Sequence, residues 1–305
     1  MILVKQPGLF TTVQDLGREG FGPQGVSASG AADPIALRIG NWLVGNPEGA
    51  AALEMTLLGG TFEFQQDAVV ALTGSDFGAS IKSNVACAMR AGETVRVGPT
   101  QSGARAYLCI QGGIDVPLFY GSASTHVLSG LGGFAGRALR KGDVLRIGLR
   151  IGSTGARFVE RKMTAEAMQK LTPRKDLRVT PGTQWGWFAE EARRAFLAGP
   201  YLVTEESNRM GLRLNGPALP AAGGGSMITE GVPLGAIQVA AGGQPIILFV
   251  EQQTTGGYPK IANVIAADLA SVGQLRPRDT VRFELISFEN ARMLIREQED
   301  VFRSL

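Results

Sequence analysis

The sequence predicts a mainly β protein with a few helices, built as two related β-barrel-like domains. Three observations predict it. Glycine supplies 42 of the 305 residues, about 14% and roughly twice the usual share, with no collagen period; that excess marks tight turns and close backbone approaches. Apolar and polar residues alternate with period two through most of the chain. A turn-then-strand unit also recurs: MRAGETVRV at 89–97, LRKGDVLRI at 139–147 and LRPRDTVRF at 275–283, with VPLGAIQV at 232–239 as a looser relative. The first three close a turn on an acidic residue and continue as a strand with alternating faces.

A second echo sets the domain organisation. Strand 95–97 leads to the apolar strand 106–110 and then Gln111-Gly112-Gly113; strand 237–239 leads to the apolar strand 246–250 and a stretch ending in Gly256-Gly257. Strand, turn, buried strand and glycine loop thus occur twice. The expected division is a first barrel-like domain at 1–150, a charged linker at 151–176 and a second barrel-like domain at 177–305. Convergent hairpin chemistry is the competing explanation of the echoes.

Three helices interrupt the strands. Asp33 is a good N-cap with Pro34 at the first helical position, Gly45 ends the segment, and Ile35, Ile39, Trp42 and Leu43 share a face. A second helix is expected over 187–197, with Phe188, Ala192, Ala195 and Phe196 on one face and Gly199-Pro200 as the stop. A shorter one is expected to start at Thr164 in the linker.

Bulk composition narrows the function classes. Apolar residues make up 44% and charged residues 19%, enough apolar side chains to fill two cores. The net charge is +3. The basic groups Arg137, Arg140, Lys141 and Arg146, then Arg161, Lys162, Arg174 and Lys175, have no interleaved aromatics, so they read as solvated faces and a linker rather than a nucleic-acid stripe. The N-terminal MILVKQPGLF lacks the features of a signal peptide; no apolar run exceeds five residues, and 246–250 is a buried strand rather than a membrane span. Cys87 and Cys109 have no CxxC spacing and read as free thiols. A cytoplasmic protein is expected.

Chemistry is constrained first by what is missing. With His126 as the one histidine, a His-rich metal site is excluded. His126 precedes a glycine loop and reads as a loop residue rather than a catalytic base. There is no GxxxxGK[ST] loop, and the glycine pattern at 130–135 is followed by a strand, not the helix a dinucleotide site needs.

Three polar and glycine-rich clusters remain. The first runs from Thr11 through Asp15 and Arg18 to residues 25–34, which hold Ser29, Gly30 and Asp33. Asp15 and Arg18 either pair to fix a loop, or Arg18 holds a carboxylate or phosphate in a bidentate fork; the helix start at Asp33-Pro34 offers free N–H groups to an anion. The second cluster is residues 205–211, including Arg209, with Thr229-Glu230-Gly231 after it. The third, residues 251–260, carries Gln253, Thr254, Thr255, Gly256, Gly257, Tyr258 and Lys260 directly after the apolar strand. Binding residues are often carried on such a loop at a strand end; Gly256 and Gly257 amides and the Lys260 ammonium suit an oxyanion. A decorated β-turn with Tyr258 packed beneath it is the alternative.

At these same positions the sequence resembles a known family, the carboxyltransferase-type C subunit of bacterial 5-oxoprolinase, also called allophanate hydrolase subunit 2 or the Kip-antagonist type. The resemblance lies in GLFTTVQDLGR at 8–18, SGAAD at 29–33, NWLVGN at 41–46, QGGIDVP at 111–117, NRMGLR at 208–213 and QTTGGYPKI at 253–261. It implies two cyclophilin-like β-barrels, two partners (the B and A subunits), and ATP-dependent opening of 5-oxo-L-proline to L-glutamate, with ATP and Mg shared across the complex. Related enzymes imply an alternative, carboxyl transfer from biotin to urea or a similar amide. The Kip-antagonist name implies another, a non-enzymatic regulator that binds a kinase-inhibitor partner. Motif position and side-chain chemistry nominate Lys260, Tyr258 and Asp15 as catalytic. Arg18, Ser29, Gly30, Asp33, Arg209, Glu230, Gln253, Thr254, Thr255, Gly256 and Gly257 are nominated to bind substrate. No metal ligand is nominated.

Overall fold

In the computed structural model, residues 1–149 and 161–305 are described. The chain divides by contacts into two compact units, Met1–Arg18 with Ser29–Thr164, and Glu19–Ala28 with Ala165–Leu305. The mainly β class with a few helices holds. Of the expected linker 151–176, residues 151–160 lie outside the described residues.

The first unit contains β1 (Ile2–Gln6), β2 (Phe10–Gln14), α1 (Pro34–Val44), β3 (Ala52–Thr56), β4 (Thr61–Phe64), β5 (Ala68–Gly74), β6 (Ala86–Met89), β7 (Thr94–Arg96), β8 (Arg105–Ile110), β9 (Ile114–Asp115) and β10 (Val144–Ile147). They form two five-stranded sheets, β7-β4-β1-β10-β9 and β2-β3-β8-β5-β6. Alternation places Ile2, Val4, Phe62 and Phe64 from one sheet and Leu53, Met55, Val70, Leu72 and Leu108 from the other in a single buried cluster. Helix α1 starts and stops as its sequence dictates: the Ala36 N–H donates to Asp33 Oδ1 at 2.9 Å, and Gly45 is left-handed at φ 77°. Mid-helix Gly40 is a costly residue by propensity, but a Cβ there would lie 2.5 Å from Cys109 Sγ and 2.8 Å from Thr73 Oγ1.

The recurring turns share one hydrogen-bond scheme. The backbone N–H of Arg90, Arg140 and Arg276 donates to the carboxylate three residues on, Glu93 at 2.7 Å, Asp143 at 2.7 Å and Asp279 at 2.9 Å. Each turn then clips one residue of a neighbouring strand by two backbone bonds. Gly92 donates to Phe64 O and Phe64 to Glu93 O; Gly142 and Asp143 do the same with Val4, and Arg278 and Asp279 with Val203. The third residue of each turn is left-handed, Gly92 at φ 86°, Gly142 at 91° and Arg278 at 72°. This is why two copies carry glycine there.

A polar network runs under α1. The fully buried Tyr107 hydroxyl donates to Glu54 Oε2 at 2.7 Å and accepts the Asp33 N–H at 2.7 Å. Burial, then the Glu54 and Asp33 carboxylates, push its ionisation well above the ordinary tyrosine value, so it stays a neutral donor. Tyr107→Phe removes a buried donor and acceptor together and is expected to cost about 1–3 kcal/mol. Urea denaturation of the two proteins, with the m-value unchanged, checks it.

The second unit contains α2 (Ala165–Lys170), β11 (Asp176–Pro181), α3 (Glu190–Ala198), β12 (Tyr201–Val203), β13 (Gly211–Asn215), β14 (Glu230–Gly231), β15 (Ala236–Val239), β16 (Pro245–Leu248), β17 (Thr255–Gly256), β18 (Lys260–Val264), α4 (Leu269–Gly273), β19 (Thr280–Leu285) and α5 (Phe288–Arg303). Seven strands close a barrel in the order β11-β18-β15-β16-β13-β12-β19, and β14 and β17 form a separate two-stranded ribbon. The barrel shuts through a parallel pairing of β11 with β19. Phe196 from α3 stacks on Phe283 of β19 with centroids 4.5 Å apart.

Two helix expectations need correction. The helix expected over 187–197 begins at Glu190; residues 185–187 form a 3-10 turn, and Phe188 is extended. The first α-helical turn starts where Glu190 and Glu191 suit the positive helix end. The expectation that almost everything else alternates with period two fails at α5, whose sixteen residues start from Ser287 as N-cap, its Oγ accepting the Asn290 N–H at 3.1 Å. Only Val301 and Phe302 of α5 are buried, but Ala291, Leu294, Ile295 and Phe302 share one face at helical spacing, a period of 3.6 rather than two.

Candidate active site

Lys260 opens β18 and is 2% exposed. Its backbone is held on both sides by one residue: the Lys260 N–H donates to Gln184 Oε1 at 3.1 Å, and Gln184 N–H donates to Lys260 O at 3.2 Å. Gly182 makes this possible, because a Cβ there would sit 2.3 Å from Lys260 O. The ammonium ion-pairs with Glu230 of β14, and Gln184 Nε2 donates to the same carboxylate at 3.0 Å. The Lys260 side chain is 3% exposed and that of Glu230 42%, so the pair runs from the interior to the surface. The sequence reading placed Lys260 at the end of a loop; it instead opens a barrel strand, which holds it buried in the barrel wall.

The Lys260 ammonium, and secondly the Gln184 amide, hold the Glu230 carboxyl below its ordinary range. A carboxyl lowered on folding contributes stability above its unfolded pKa and loses it as pH falls through the folded value. The pair is therefore intact at neutral pH and breaks in acid. A carbon-13 titration of Glu230 is expected to show a midpoint below the ordinary glutamate value of 4.5, and Lys260→Met should move it upward; an unmoved midpoint would contradict the coupling.

The ribbon lies beside this pair, with Glu230 opposite Gly256 and Gly231 opposite Thr255. The Met227 N–H donates to Gly257 O at 2.9 Å and the Val232 N–H to Thr254 O at 3.0 Å. A Cβ on Gly256 would come within 2.5 Å of Gln238 Nε2, and Gln253 Nε2 donates to Gln238 Oε1 at 3.2 Å. Gln253, Thr255 and Tyr258 are exposed and Thr254 half-buried. Tyr258, at 42% exposed, does not pack beneath the turn. Residues 253–257, Glu230 and Lys260 are thus assembled into one neighbourhood. Gln184 and Gln238 belong to it and were not nominated; for Gln238 the available signal was a glutamine within an otherwise apolar barrel strand, where a buried amide needs partners.

Arg209 has a different setting. Its Nε lies 2.5 Å from Glu251 Oε1, both residues are buried, and the Glu251 N–H donates to Arg209 O at 2.8 Å. This guanidinium, nominated to bind substrate, is engaged with a carboxylate of its own chain.

The first-unit candidates form a second group. The Asp15 carboxylate accepts the Gly17 N–H at 2.7 Å, the Ala123 N–H at 2.6 Å and the hydroxyls of Ser122 and Ser124 at 2.7 and 2.5 Å. Four donors make it a loop anchor rather than an available base. Arg18 donates to Ser124 O at 2.5 Å and lies 5.3 Å from the Phe119 ring centroid. Ser29 donates to Thr125 O at 3.0 Å, and Gly30, at φ 94°, packs against Leu16 and Gly17 where a Cβ would come within 2.9 Å. Asp33 caps α1. His126 accepts from Ser129 N–H at 3.2 Å in its loop.

Comparison with known proteins settles the family. The model of the carboxyltransferase domain, subdomain A and B, matches residues 24–285. The chain belongs to this family. Within the carboxyltransferase-domain family it is 38% identical to the 5-oxoprolinase C subunit of Escherichia coli over 100% of this chain and 97% of that one. It is 36% identical to the 5-oxoprolinase C subunit of Haemophilus influenzae over 94% and 92%. Among solved structures, the Kluyveromyces lactis urea amidolyase is 34% identical with a TM-score of 0.90, covering 98% of this chain. This chain spans only 19% of that enzyme's length.

Among the described residues there is no group of three or more His, Cys, Asp or Glu side chains able to hold a metal ion, and no helix is long and apolar enough to cross a membrane. What the carboxyltransferase domain offers at Lys260 is one buried positive charge, amide donors from glutamines, and one carboxylate that keeps the ammonium in place. Such a set suits a planar group whose oxygen gains negative charge.

Proposed function

We propose that this chain is the C subunit of an ATP-dependent 5-oxoprolinase, which converts 5-oxo-L-proline, ATP and water to L-glutamate together with the A and B subunits in the cytoplasm. The observation that carries this reading is the match to two 5-oxoprolinase C subunits over 97% and 92% of their lengths. In this reading the Lys260 ammonium faces the lactam carbonyl and stabilises the charge that grows on its oxygen as the ring opens. Glu230 and Gln184 fix the position of the ammonium. ATP would supply a phosphoryl leaving group on that oxygen. Among the described residues there is no carboxylate cluster able to hold magnesium, and no step here is routed through ATP.

The structural likeness to urea amidolyase favours one second reading, carboxyl transfer from biotin to urea or a similar amide. The two are separated by product and inhibitor. The lactam reading expects ATP-dependent glutamate release from 5-oxo-L-proline that is insensitive to avidin. Avidin-sensitive carboxylation of urea, with no glutamate formed, would overturn it.

A further inference from the structure

Gln238 holds a buried donor without an acceptor. The residue is 1% exposed; its Oε1 takes the Gln253 amide at 3.2 Å, while its Nε2 is buried with no hydrogen-bond partner. Buried amide groups are nearly always paired, so one left open is a place where a partner is missing. Lys260 is opposite Gln238 where the register of β15 with β18 shifts, and both side chains reach the same ribbon: the ammonium meets Glu230, and Gly256, paired with Glu230, stands against Gln238 Nε2. The ammonium has three donors, and its partner here is Glu230.

A glycine stands in front of the open amide. Any Cβ at 256 would lie 2.5 Å from Gln238 Nε2 and 3.4 Å from Gln253 Nε2. Gly256 sits in the ribbon, which has two paired residues per strand and is not part of the barrel ladder, and as glycine it puts no side chain over Nε2.

We propose that Gln238 is a substrate-binding residue, and that its Nε2 and the Lys260 ammonium together take a carbonyl or carboxylate oxygen of a small amide. Both donors call for a group that only accepts. Naming that amide as a lactam rests on the proposed function above; the oxygen-binding role of Gln238 does not.

Calorimetric titration of the full chain with 5-oxo-L-proline and, separately, with urea tests it, using wild type, Gln238→Leu and Gly256→Ala. Wild type is expected to bind at least one probe, and each variant to bind it about tenfold or more weakly, the usual loss for a donor to a polar ligand group. Gly256→Ala lies in the exposed ribbon and keeps Gln238 itself, so it decides the matter if Gln238→Leu fails to fold; a melting temperature equal to wild type confirms that only the donor was blocked. Binding of urea but not 5-oxo-L-proline, weakened in the variants, supports the Gln238 role and overturns the lactam reading. Wild-type affinity in Gly256→Ala and in folded Gln238→Leu, or no binding of either probe by wild type, overturns the Gln238 role.

Discussion

Lys260→Met in the assembled complex is expected to lower turnover by about 10²–10³, the loss that follows removal of one preorganised oxyanion donor. Methionine keeps most of the buried stem, so the barrel wall stays filled while the charge goes. Truncation to alanine would confound the result, because Lys260 is 2% exposed and a cavity would add its own destabilisation. Glu230, whose side chain is 42% exposed, can rehydrate once its partner is removed, so the stability cost is modest. Measuring kcat alongside the melting temperature separates the effects: a large fall in kcat with a nearly unchanged melt is the expected pattern. Full turnover from a folded Lys260→Met complex would remove Lys260 from the site.

Arg209→Ala is expected to destabilise the second unit by about 3–5 kcal/mol, because it leaves a carboxylate buried without its charge partner. Glu251 is 3% exposed and follows the barrel strand β16, so water cannot readily replace the guanidinium. Replacing both, as Arg209→Ala with Glu251→Ala, should cost less than the sum of the two single changes; that non-additivity identifies the pair. Urea denaturation of the four proteins measures it. An Arg209→Ala protein as stable as wild type, with only substrate affinity lost, would restore the sequence reading of Arg209 as a binding residue.

What the sequence made legible was mostly local. The turns at 90–93, 140–143 and 276–279 could be read because the whole device, an acidic side chain reaching back to a backbone N–H three residues earlier, fits within four residues. Helix α1 could be read for the same reason, from Asp33, Pro34 and Gly45. The neighbourhood of Lys260 was legible in part, since residues 253–260 are contiguous and Glu230 lies in a separate polar cluster. Gln184 and Gln238 were not, because a closed barrel brings residues 76 positions apart into contact, as it does Gln184 and Lys260. Side chains that read as available to a ligand found distant partners instead. Asp15 meets Ser122 and Ser124, 107 and 109 positions away, and Arg209 meets Glu251, 42 positions away. Composition shows that such groups are polar; only the fold shows which of them are already satisfied. Helix α5 was legible and missed: Ala291, Leu294, Ile295 and Phe302 recur at helical spacing behind the Ser287 cap.

Whether this chain is a 5-oxoprolinase C subunit is tested most directly by ATP-dependent glutamate release from 5-oxo-L-proline by the A and B subunits, with and without this chain. Turnover is expected when all three are present, and little or none from the two partners together or from this chain alone. Full turnover by the two partners without it, or by this chain without them, would contradict the assignment.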